Sequence, residues 1–129
     1  MASAGRVVVL YARVLWELLR YDALFACRGL RGVRPKRPRG APPVTENPAL
    51  ESAICEAVTA IAPFYWKPVR CLQRSIVMAR VMRARGIPAE AVIGYRPAPF
   101  FSHAWVEVGG RVAGESPVYR QRLLVLERL

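Results

Sequence analysis

The sequence predicts an α+β fold, because helical periodicity fills roughly its first two-thirds and short valine-rich runs fill most of the last third. Apolar residues recur every three or four positions over 6–21, 48–61 and 71–85. The runs 89–94, 103–108 and 111–115 are instead short, rich in valine and separated by turn signals.

Residues 6–21 read as one amphipathic helix, with Val9, Leu15, Trp16 and Leu19 supplying much of its apolar face. From Gly29 to Val44, three glycines and four prolines break the pattern and predict a loop. Asn47 is a natural cap for a second helix, with Pro48 at its first position, and Pro63 limits its far end. A third helix begins at or just before Cys71 and runs to about Arg85, where Gly86 suits the C-terminal position and Pro88 prevents continuation. Its stripe Cys71, Ser75, Met78 and Met82 is expected to face inward, with Leu72, Ile76 and Ala79 beside it, while Gln73, Arg74, Arg80 and Arg83 form the polar side. The three β segments predict a small antiparallel sheet. In its middle segment His103, Trp105 and Glu107 share one face, and Ala104, Val106 and Val108 the other.

The 129 residues, 53% of them hydrophobic, suit a single domain with one core. Within it, 1–46 form an N-terminal helix and basic proline-rich connector, and 47–129 form the core that carries the chemistry. Val7 to Ala12 are apolar, but Arg13, Glu17 and Arg20 interrupt them too early for a bilayer span. The same recurring charge argues against a signal peptide. Three cysteines, Cys27, Cys55 and Cys71, make neither a disulfide framework nor metal-ligand spacing, so no metal is expected and a reducing cytoplasm is the simplest setting. A net charge of +11 favours anionic partners. The arginines are mostly dispersed and no nucleic-acid motif accompanies them, so nucleic acid is not the expected partner. The one basic cluster, Arg31, Arg34, Lys36, Arg37 and Arg39, lies among prolines and reads either as a solvated linker or as a docking strip for an acidic protein.

His103 is the only histidine, so a cysteine nucleophile has one available imidazole. Cys71 is placed for that role: a thiolate is favoured at a helix N-terminus and beside a base, and here both are at hand. The competing reading is a buried structural thiol. A base works better when a third group fixes its tautomer. Glu107 lies four residues along the same strand, roughly 13 Å away at about 3.3 Å per residue, which leaves Glu115 on the next strand as the best placed acid. A two-residue turn at Gly109-Gly110 would set Ala104, and not His103, opposite Glu115. A three-residue loop or a bulge is therefore expected, shifting the register by one. The backbone N–H of Cys71 is a candidate oxyanion donor, with a second from Tyr65-Trp66-Lys67. Trp66 and Trp105 are either core residues or contacts to substrate and oxyanion.

The runs Cys71 to Arg80, Arg85 to Glu90, Val92 to Gly94, Pro97 to Phe100 and His103 to Val108 together resemble the lasso peptide maturation B2 proteins, of the transglutaminase-like cysteine protease superfamily. The resemblance covers about residues 60–129; the N-terminal half matches only in general character. It implies a papain- or transglutaminase-like core, with the cysteine at a helix N-terminus packed on a small sheet carrying histidine and acid. It further implies a leader peptidase that cuts a ribosomally made precursor between leader and core, before an ATP-dependent cyclase closes a macrolactam. Cys71 would be the nucleophile, His103 the base and then the acid, and Glu115 the orienter where the family usually has aspartate. No cofactor is implied. The partners implied are the leader peptide, a separate leader-recognition protein called B1, for which this chain has no spare length, and the cyclase. Two other readings stay open: an acyltransferase using the same pair, and a basic binding module with an inert Cys71.

Overall fold

In a computed structural model, residues 4–33 and 47–129 are described. The basic connector residues Arg34, Lys36, Arg37 and Arg39 lie outside them. The order is α1 (Ala4–Arg28), α2 (Leu30–Val33), α3 (Pro48–Ile61), a 3-10 turn (Ala62–Phe64), α4 (Cys71–Ala84), β1 (Ala89–Pro97), β2 (Phe100–Val108), β3 (Arg111–Ala113), α5 (Val118–Arg122) and β4 (Leu124–Arg128). The architecture is α+β, as expected.

The helix signals in the sequence act locally and hold. Asn47 accepts the backbone N–H of Leu50 at 3.1 Å with Pro48 at the first position, so α3 begins where cap and proline dictate. Gly86, at φ +84°, ends α4. The Ile87 N–H reaches back to the Met82 carbonyl and the Gly86 N–H to that of Arg83, the Schellman pattern that satisfies the last carbonyls. Part of the stretch expected as loop is helical: α1 continues to Arg28, turns at left-handed Gly29, and leads into the single turn of α2.

Helices α1, α3 and α4 pack together, and α4 lies on one face of a four-stranded antiparallel sheet ordered β3-β2-β1-β4. The main core is where α4 meets the strands. Ile76, Val77, Val81 and Met82 pack there with Ala89, Ala91, Val106 and Val108, and Val14, Leu18, Ile54 and Val58 close it from α1 and α3. The alternation expected of β2 holds, and His103, Trp105 and Glu107 lie on the face away from α4. There Trp105 packs with Val92 and Leu123, beside Val112 and Tyr119. Its indole lies across Gly94, where an added Cβ would come within 2.5 Å of the ring.

Three expectations are corrected. Val9, Leu15, Trp16 and Leu19 are exposed, and α1 buries Leu10, Val14, Glu17, Leu18 and Tyr21 instead. The helix is apolar on two sides, so periodicity alone does not say which side meets the core. Gln73 belongs to no polar surface; it is buried, and its amide donates to the Leu18 carbonyl at 3.2 Å and to Asp22 at 3.3 Å. The sheet also has a fourth strand, because Leu124–Arg128 pairs with β1 along the edge opposite β3.

Glu107 is nearly fully buried beneath Trp105, whose Nε1–H donates to it at 2.9 Å, while Arg128 donates to the other oxygen at 3.2 Å. Burial alone would raise its pKa. The two hydrogen bonds and the charges of Arg128 and Arg120 outweigh that, holding the carboxyl below the usual value. A depressed folded pKa means that the stabilisation is complete above the unfolded glutamate value, about 4.3, and is lost as pH falls through the folded value. In acid titrations followed by urea denaturation, Glu107→Gln is expected to be less stable at neutral pH and to lose less stability below about pH 4. Gly94→Ala, which drives a methyl into Trp105, should cost about 1–3 kcal/mol in the same assay.

Candidate active site

Cys71 is the first residue of α4, preceded by Arg70 in extended conformation with no side-chain cap. The first-turn N–H groups of a helix, here those of Cys71, Leu72 and Gln73, have no intrahelical acceptor. The expectation that the thiol faces inward holds only for the rest of its stripe. Ser75, Met78 and Met82 are buried, whereas the Cys71 side chain emerges into solvent at the helix end.

The segment before Cys71 is tied to α1 by Asp22. Tyr65 donates its hydroxyl to this carboxylate, Gln73 donates to its other oxygen, and the Lys67 ammonium lies 2.5 Å away. Burial, and then the hydrogen bond to Asp22, push the Tyr65 hydroxyl up to about 12, so it stays a proton donor. No sequence pattern points to Asp22, which lies in the N-terminal helix some fifty positions before Gln73. A glutamine two residues after the cysteine is the only signal that could find it, and helical spacing alone places that glutamine on the wrong side.

The Gly109-Gly110 connection overturns the expected register shift. Both glycines have positive φ, 57° and 81°, and close a two-residue turn that pairs Val108 with Arg111 and Val106 with Ala113. No third residue is needed. That register would carry Glu115 to a place opposite Ala104, but β3 ends at Ala113 and Gly114, at φ +77°, turns the chain out of the ladder. Glu115 thereby leaves the pairing and its carboxylate lies 2.8 Å from His103 Nε2. A Cβ on Gly114 would also sit 3.1 Å from the Cys55 sulfur, so both the dihedral and the space favour glycine.

His103 is partly buried, with the Tyr119 ring centroid 4.0 Å from its own and Trp105 farther off at 6.3 Å. With Nε2–H donating to Glu115, Nδ1 is the nitrogen left to accept a proton. Cys71, Ser75, His103 and Glu115 line one small cleft of about 30 Å³, at the place where β3 stops and the edge of β2 is open. The structure thus brings Cys71, His103 and Glu115 to one site. Trp105 also lines the cleft, though it is a buried packing residue whose N–H is taken by Glu107. Trp66 is the opposite case, 74% exposed on the segment ahead of Cys71, with the Lys67 ammonium over its ring.

Cys55 lies behind this site without joining it. Burial first, and then the charge of Glu51, push its thiol up to about 11, and its neighbour is the Met78 sulfur at 3.6 Å. It is a packing thiol. Cys27 is exposed on α1. Among the described residues no group of three or more His, Cys, Asp or Glu side chains could hold a metal ion, and no helix is long and apolar enough to cross a membrane.

The chain is 44% identical over 59 residues to the microcin J25-processing protein McjB of Escherichia coli. The match takes in 46% of this chain and 28% of McjB, so the chain spans less than a third of that relative. No solved structure matches significantly. A model of the transglutaminase-like superfamily matches residues 8–128, nearly the whole chain, and the protein belongs to that superfamily.

Proposed function

We propose that this protein is a cysteine peptidase of lasso peptide biosynthesis, which removes the leader from a ribosomally made precursor. The observation that carries the reading is the His103 ring, fixed by Glu115 in the same cleft as a thiol exposed at a helix N-terminus. The partial identity to a microcin-processing protein supports the substrate class.

In this mechanism His103 Nδ1 takes the Cys71 proton, and Glu115 stabilises the imidazolium and holds the ring. The thiolate attacks the scissile carbonyl, and the oxyanion is met by the Cys71 N–H with help from the segment that the Asp22 cluster holds in place. His103 returns the proton to the leaving core amine, leaving the leader as a thioester on Cys71. Water, deprotonated by His103, then hydrolyses that thioester. Trp66 is suited to contact substrate. The proposed partners are the leader peptide, a separate leader-recognition protein and the macrolactam-forming cyclase. The basic residues 31–39 would favour acidic surfaces among them.

Incubating the protein and its partner with the precursor should release free leader carboxylate, read by mass spectrometry. A leader carrying the mass of an added amine would instead mark acyl transfer. Cys71→Ala should abolish release, and normal processing by that variant would overturn the proposal. His103→Ala should slow it by roughly 10²–10⁴-fold, and Glu115→Gln by less, with circular dichroism unchanged in both. Gly114→Ala, which opposes the turn that delivers Glu115, should lower kcat while leaving Cys71 labelling by iodoacetamide measurable.

A further inference from the structure

The outer side of α1 carries an apolar stripe that nothing among the described residues covers. Val8, Ala12, Leu15, Trp16, Leu19 and Ala23 recur at three- and four-residue spacing, and all are exposed, Val8 by 65% and Trp16 by 59%. Helices on a protein surface ordinarily turn polar residues outward, so a solvent-facing stripe of this length marks an interaction surface.

Its charge defines the occupant. Arg13 and Arg20 run along one edge of the stripe, each about half exposed. Both, together with Arg80, lean on a single carboxylate, Glu17, which is itself buried. Three guanidiniums share one negative charge, so the edge keeps a surplus of positive charge. The other acid of α1, Asp22, is turned inward onto Tyr65, Gln73 and Lys67. The helix therefore shows an apolar strip with cations beside it and no exposed carboxylate of its own. A second copy of the chain would bring the same arginines and a net charge of +11 against them.

One feature of the stripe favours a protein helix over a lipid surface. The small residues Ala12 and Ala23 leave low places at either end of the ridge formed by Leu15, Trp16 and Leu19, the relief into which side chains of another helix fit. We infer that the outer face of α1 docks an amphipathic helix of a partner protein whose apolar stripe is flanked by carboxylates. The inference stands apart from the peptidase reading, since none of these residues lines the cleft.

The test uses the full chain and two labelled synthetic helices of about twenty residues, with the same leucine-alanine stripe flanked by glutamates in one and by lysines in the other. Fluorescence anisotropy should show the acidic helix binding at least about tenfold more tightly, with affinity falling as salt rises. Trp16→Ser with Leu19→Ser should weaken that binding by about tenfold or more. Ala23→Arg, which fills a notch at an exposed helical position, should do the same without threatening the fold. Equal affinity for the two helices, or binding unchanged in both variants, overturns the inference. So does co-sedimentation with vesicles of three parts phosphatidylcholine to one of phosphatidylglycerol in place of peptide binding, or a wild-type dimer in light scattering that the variants lose.

Discussion

The site depends on a strand that stops early. β3 has three residues, and beyond Ala113 the chain leaves the sheet through the left-handed turn at Gly114. If pairing continued in the same register, the Glu115 side chain would fall opposite Ala104 and point to the face that α4 covers. Because pairing ends, Glu115 swings to the imidazole of His103, and the bare edge of β2 becomes the cleft into which Cys71 opens. A residue free of its ladder can choose a face that a paired one cannot.

That arrangement uses the sheet as a partition. One face is filled by α4 and the main core, so Ala104, Val106 and Val108 are small or branched and buried. The other carries His103, Trp105 and Glu107, with the indole lying across Gly94 and donating to a buried carboxylate. Trp105 and Glu107 supply the ordered layer from which His103 projects, and Tyr119 confines the ring from above. Rigid support of this kind limits the geometries the imidazole can sample.

On the cysteine side, Asp22 does the equivalent work from a distant part of the chain. By receiving Tyr65, Gln73 and Lys67 it fastens the segment ahead of Cys71, and the first turn of α4 itself, to α1. The N-terminal helix is thus part of the site's foundation while its outer side stays apolar and open. The same helix therefore has two apolar faces, one met by α3 and α4 and the other turned to solvent.

The sequence determined what short-range physics controls. Asn47-Pro48 started a helix, Gly86 ended one, Cys71 was placed at a helix N-terminus, and valine-rich runs marked three of the four strands. The pairing of His103 with Glu115 was legible as a need for a nearby acid, though not the route to it, because two glycines already make a complete turn and the departure at Gly114 leaves no periodic signal. The fourth strand escaped because Leu124–Arg128 is short and largely exposed at a sheet edge. Tertiary structure alone decided which face of α1 is buried, that Gln73 points inward and that Asp22 reaches the cysteine's helix. Those are contacts between residues some fifty positions apart, and a helical or alternating period fixes which side chains share a face without saying what that face will meet.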